Sequence, residues 1–281
     1  MKGVLDTTKP SVDAANGVGR LEVHDLCHQY VRDRASEGQL VLDGIELDIA
    51  AGEFVCVLGA SGCGKSTLLM IMAGLIRPTG GQVVLDGIPV TGPSRERGVV
   101  FQEYALLPWK TVRSNVALGP RLQGRSRADA RAVADRYLEM VGLADSGAKY
   151  PHELSGGMRQ RAAVARTLAA DPSVLLMDEP FAAVDAQTRS LLQEELVHIW
   201  EETGRTIVFV THSVDEAALL ADRVVVLTSS PGRVKEVLPV PTPRSERFDP
   251  GRAAENATFA ATLLLSVRQD GPGRASGSSR R

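Results

Sequence analysis

The sequence predicts an α/β fold: a parallel sheet covered on both faces, preceded by an antiparallel β region and interrupted by a helical insertion. Three observations lead there. Short apolar runs over residues 54–58, 174–177, 206–210 and 223–227 are separated by segments of helical period, the pattern of parallel strands joined by crossover helices. Residues 21–30 and 40–49 alternate instead, clearest in Ile45, Leu47 and Ile49, as antiparallel strands with one solvated face do. From about 111 to 166 the period is helical with no strand between, which marks a helical subdomain over about 103–166.

Composition narrows the class. The 281 residues are 43% hydrophobic and 23% charged, as in ordinary globular proteins. A net charge of −2 leaves no bulk electrostatic footprint for nucleic acid, so no nucleic-acid partner is expected. No run reaches the roughly 18 apolar residues of a membrane span; residues 257–267 come nearest. Residues 1–20 lack an apolar signal region and are expected to form a flexible leader. Cys27, Cys56 and Cys63 are odd in number and lack metal-ligand spacing, which fits a reducing cytoplasm.

In chain order, Ala51-Gly52-Glu53 turns the antiparallel region into the buried strand 54–58. Next comes Gly59-Ala60-Ser61-Gly62-Cys63-Gly64-Lys65-Ser66-Thr67, then an apolar helix. Strand, glycine-rich turn and helix with Gly-x4-Gly-Lys-Ser spacing is a P-loop. Glycines let backbone amides approach phosphate oxygens, and the helix start adds unpaired N–H groups and roughly half a positive charge. Lys65 is placed for the β- and γ-phosphates and the Ser66 hydroxyl for Mg²⁺. Cys63, among these amides, is either a candidate thiolate or a small residue filling space. Leu68, Leu69, Ile71, Met72 and Leu75 surround the helix, so it is expected between two layers.

The helix stops at Arg77-Pro78-Thr79-Gly80-Gly81; residues 82–85 and Asp86-Gly87 predict a strand and tight turn, and 98–101 a further strand. Residues 127–141 form a charged amphipathic helix, and Ser155 reads as the N-cap of another bearing Met158, Ala162, Ala165 and Ala169 on one face. A helix over 188–202 aligns Leu192, Leu196 and Ile199. Pro231, Pro239, Pro241, Pro243 and Pro250 predict no regular structure over most of 229–251, 255–268 a last helix, and 269–281 a disordered tail. Arg244 to Arg247 read as solvated charge, and Trp109 as either core or a docking residue.

A P-loop needs a carboxylate at the end of a neighbouring strand, and Asp178 after the run 174–177 supplies it for the Mg²⁺ shell. Glu179, one step beyond, can orient or deprotonate an attacking water. His212 ends the strand 206–210, where such sheets face ligand. Ser155-Gly156-Gly157 at a helix start is a second anion site.

With those motifs in this order, residues 21–238 resemble the ATPase subunit of ATP-binding cassette (ABC) transporters. The resemblance implies a P-loop, RecA-like core in an ABC ATPase domain of 21–238, followed by an extension over 239–281. It implies ATP and Mg²⁺ as cofactors, with Tyr30 as the aromatic residue stacking on adenine and Gly59 to Thr67 as the Walker A loop. Gln102 matches the glutamine that touches Mg²⁺ and water, and Ser155-Gly156-Gly157 the signature. Asp178 and Glu179 match Walker B and the catalytic glutamate, Asp185 the D-loop and His212 the switch histidine. One P-loop and one signature per chain imply a head-to-tail homodimer with each ATP between two chains. Transmembrane permease subunits, a periplasmic or extracellular solute-binding protein and a place on the cytoplasmic membrane face follow from the same resemblance. Met158 stands where most of the family has glutamine, and Phe181-Ala182-Ala183-Val184-Asp185 departs from the commoner D-loop. Met158-Arg159-Gln160-Arg161, Thr91-Gly92-Pro93, Leu107-Pro108-Trp109 and Ser230-Pro231-Gly232-Arg233 resemble the branch importing nitrate, sulfonates and taurine. The alternatives are a soluble non-transport ABC ATPase and a P-loop phosphotransferase acting on a small molecule.

Overall fold

The structure, a computed structural model, describes residues 18–31, 38–182 and 184–268. Most of the expected leader and all of the expected tail lie outside them. Within them, Gly19 and Arg20 are held, their amides donating to the Asp86 carboxylate.

Strands β1 (Leu21–Tyr30), β2 (Gln39–Ile49), β4 (Gly80–Leu85) and β5 (Ile88–Pro89) form an antiparallel sheet in the order β2-β1-β4-β5. The β4–β5 hairpin turns at Asp86 (φ 50°) and Gly87 (φ 79°), the left-handed pair that a two-residue turn of this twist requires. The second sheet has the order β10-β9-β3-β8-β7-β6. It joins β3 (Phe54–Leu58), β6 (Arg97–Val100), β7 (Val174–Asp178), β8 (Thr206–Thr211) and β9 (Arg223–Leu227) in parallel, with β10 (Val234–Pro239) antiparallel at one edge.

Each central strand feeds two cores, because successive side chains point to opposite faces. Val55 and Val57 of β3 pack with the antiparallel sheet and with helix α1 (Lys65–Met72), which lies between the layers as its all-round apolarity predicts. Leu75 falls past the end of α1 and is 47% exposed, so it does not join that packing. Phe54, Cys56 and Leu58 point the other way, toward α4 (Arg127–Met140), α5 (Gly156–Ala169), α6 (Ala186–Thr203), α7 (Val214–Leu220) and α8 (Ala253–Arg268). Here the Phe54 ring meets the edge of Trp200 at 5.2 Å between centroids. Full burial of one such side chain contributes about 1.5–3 kcal/mol. Short helices α2 (Val112–Val116) and α3 (Leu118–Leu122) complete the inserted region.

Two expectations for the C-terminal part need correction. Residues 229–251 hold β10 and two short 3-10 turns; the prolines did not prevent a strand because β10 is an edge strand ending at Pro239. Arg247 is not solvated charge, and Arg244, though exposed, is ion-paired. Arg247 is 3% exposed, and both guanidinium groups pair with Asp222, whose carboxylate also accepts the Phe54 amide at 3.1 Å. Arg244 lies 3.8 Å over the Trp200 ring. Asp222 is far from both arginines in sequence, so the pattern gave no warning of the pairing.

Candidate nucleotide site

The site forms at the ends of β3 and β7, which flank β8 in the parallel sheet. The loop after β3 reaches α1 through Gly64, which has φ 97° and supplies no side-chain cap, so the first amides of α1 stay free. A side chain at Gly64 would also meet Leu42, whose Cδ2 lies 2.7 Å from the Cβ position. The loop is strapped from outside: a Cβ on Gly232 would sit 2.2 Å from the Cys63 carbonyl oxygen, and Ser230 Oγ donates to the Gly62 carbonyl. Cys63 itself is 1% exposed, packed beneath the loop against Gly59, which favours the space-filling reading over a reactive thiolate.

Lys65 Nζ donates to the carbonyls of Gly59 (2.8 Å) and Ala60 (2.9 Å). Ser66 Oγ lies 3.0 Å from Asp178 Oδ1, bringing hydroxyl and carboxylate together at the end of β7. Burial raises the Asp178 carboxyl above its ordinary range, opposed by the Ser66 bond. Glu179 follows at φ 43°, its amide still bonded to Val210, and its Oε2 is 3.1 Å from His212 Nδ1. Val41, Ser61, Gly62, Gly64, Lys65, Ser66, Thr67 and Glu179 line an open cleft of about 210 Å³. Tyr30 is partly exposed beside it, with its hydroxyl 3.4 Å from Thr67 Oγ1.

The remaining expected residues stand apart from that cleft. Gln102 is exposed in the segment after β6 and lines none of the cleft. Ser155 N-caps α5, its Oγ accepting from the Met158 amide at 3.3 Å. Asp185 N-caps α6 by accepting from the Thr188 amide at 3.0 Å, a bond that lowers its carboxyl below the usual range. Gly157 and Thr188 bring these two helix starts into contact: a Cβ on Gly157 would lie 2.6 Å from Thr188 Cγ2. Trp109 is 71% exposed, which removes the core reading.

Sequence reasoning missed one buried group. Glu216, on the first turn of α7, is 6% exposed and accepts from Thr211 Oγ1 at 2.6 Å. Burial raises its carboxyl above the ordinary range. The available signal was an acidic pair, Asp215-Glu216, three and four residues past His212.

A P-loop on α1 with a paired Ser66–Asp178 at the end of β7, one strand beyond the expected neighbour because β8 intervenes, defines a nucleotide-binding α/β protein. The family described as ABC transporter matches residues 42–182. The nitrate import ATP-binding protein NrtD of Synechocystis sp. is 49% identical over 232 residues, covering 83% of this chain and 86% of that protein. The taurine import ATP-binding protein TauB of Roseobacter denitrificans is 47% identical over 221 residues, covering 79% and 82%. Among solved structures, a dimeric post-hydrolysis state of the ATP-binding cassette MJ0796 bound to ADP and Pi aligns with a TM-score of 0.70. It is 32% identical and spans 79% of this chain and 99% of that one. The chain belongs to the ABC transporter family as an ATP-binding ATPase subunit, and it resembles the nitrate and taurine branch. Among the described residues, no helix is long and apolar enough to cross a membrane.

Proposed function

We propose that this chain hydrolyses ATP to drive import of a nitrate-, sulfonate- or taurine-like solute, as a head-to-tail homodimer beneath a permease. The separation of the two anion-binding helix starts carries this reading. The P-loop cleft is lined by Val41, by residues of the loop from Ser61 to Thr67 and by Glu179, and Ser155-Gly156-Gly157 contribute nothing to it. A second chain is then needed to bring a signature over the γ-phosphate, and the dimeric cassette with ADP and Pi supports that arrangement. The names of the import relatives support the solute class and direction. Trp109 and the segment after Gln102 are the docking region for the permease, which holds the chain at the cytoplasmic membrane face and receives solute from an external binding protein.

In the mechanism, Tyr30 stacks on adenine, a contact of about 1–3 kcal/mol by analogy with base stacking elsewhere. Loop amides and Lys65 hold the β- and γ-phosphates. Glu179, oriented by His212, accepts a proton as water attacks the γ-phosphorus and the bond to the ADP oxygen breaks. Ser66 and Asp178 offer the hard oxygen donors that suit Mg²⁺, which keeps most of its shell for water and phosphate. When bound, that ion neutralises charge on the β- and γ-oxygens. Gln102 and His212 report the γ-phosphate to the permease side.

The test is Glu179→Gln, which should end turnover and leave a stable ATP-bound dimer by size-exclusion light scattering. A variant that stays monomeric with ATP and turns over at the wild-type rate overturns the reading. Phosphate released with no acceptor present separates it from a phosphotransferase.

A further inference from the structure

The first turn of α6 meets two of the family's motifs at once, the D-loop and the signature. Asp185 caps it, Thr188 abuts the signature Gly157, and Arg189 Nη2 donates to the Val184 carbonyl at 3.0 Å, inside the D-loop. The same guanidinium faces Glu216. Arg189 Nε is buried without a hydrogen-bond partner and stands 3.9 Å from Glu216 Oε1. The other oxygen of Glu216 takes the hydroxyl of Thr211, the residue before His212, and His212 is paired with Glu179.

A carboxylate this buried is costly to folding unless paired and bonded, and a hydrophobic residue of similar size is often at least as stable in such a place. Its pairing here is incomplete: one oxygen is bonded, while the other faces a buried donor at 3.9 Å, about 1 Å longer than a charge-assisted bond. A small approach of α6 toward α7 would close that gap into a charge-assisted bond.

We propose that Glu216 is a positioning residue that, with Arg189, couples the His212 switch to the Asp185 loop. The inference rests on the roles assigned above to Glu179, His212 and Asp185. When a partner chain presses on Asp185 and the signature, the first turn of α6 shifts, Arg189 closes on Glu216, and the Glu216–Thr211 bond fixes His212 in its contact with Glu179. The pair is a link between the dimer contact and the hydrolytic centre, and touches no phosphate itself.

The test uses the full chain and steady-state ATP hydrolysis. Glu216→Gln keeps the size and an acceptor for Thr211 but removes the charge facing Arg189, and Arg189→Gln removes the other half. Each is expected to lower kcat by about tenfold, about 1.4 kcal/mol of barrier, with KM for ATP unchanged. The double variant should be no slower than the worse single one, since the two act as a unit. Losses that multiply in the double variant, a raised KM with unchanged kcat, or wild-type kcat in either single variant overturn the coupling. If Glu216→Gln fails to melt cooperatively, Arg189→Gln, whose side chain is partly exposed, decides alone. Glu179→Gln runs alongside. Activity in Glu179→Gln refutes the assignment of the site, whereas an inactive Glu179→Gln with fully active Arg189→Gln refutes only the coupling.

Discussion

Two helices of this chain begin at glycine-rich turns, and their first turns are finished differently. At α1, Gly64 enters in a left-handed conformation and gives no side chain back to the helix, while Lys65 folds over the loop carbonyls. At α5, the Ser155 hydroxyl already accepts from the helix's own Met158 amide. The first start is built to receive an anion, with unspent amides, a cation and a strap behind it. The second is finished as an ordinary capped helix and keeps only its hydroxyl proton and outer amides for a ligand. Under the proposed head-to-tail arrangement the difference sets an order of events: nucleotide binds α1 first, and the α5 start of another chain engages afterwards.

The contrast breaks most easily at Lys65. Lys65→Ala should cut ATP hydrolysis by about 10²–10³, the scale of losing one charged transition-state contact, and weaken nucleotide binding in titration calorimetry. A change confined to kcat would mean the lysine is not a ground-state ligand. Ser155→Ala should act differently. Nucleotide affinity of the monomer stays at the wild-type value, ATP-driven dimerisation is lost, and the missing cap lowers stability by about 1 kcal/mol in denaturant titration. Weakened monomer binding would join the two sites within one chain and defeat the order proposed.

The smallest effect is one of stability. Because burial raises the Asp178 carboxyl, its ionised form disfavours the folded state. Stability from this group is complete below the ordinary carboxylate value and falls as pH rises through the raised folded value. Asp178→Asn should therefore raise the nucleotide-free melting temperature by about 2 °C at pH 7, a gain that vanishes near pH 4. An equal shift at both pH values would assign the effect to packing instead.

Much of this was legible in the chain because the relevant signals are local. The P-loop, the Asp178 strand end, the Ser155 cap and the Asp86-Gly87 turn each occupy a few consecutive residues whose conformations follow from their own chemistry. What escaped was long-range. Asp222 meets Arg244, Arg247 and the Phe54 amide from separate parts of the chain, and β10 forms only because β9 offers it an edge. Arg189 and Glu216 become a pair only once α6 and α7 pack. Their spacing carries no motif.

The backbone at Glu179 sets a bound on what this position can become. At φ 43° a side chain with a Cβ costs about 1–2 kcal/mol that glycine would not. Glycine at this position would relieve that strain, and under the proposed mechanism it would also remove the base. The same left-handed bend turns the chain out of β7 just where the carboxylate must meet His212.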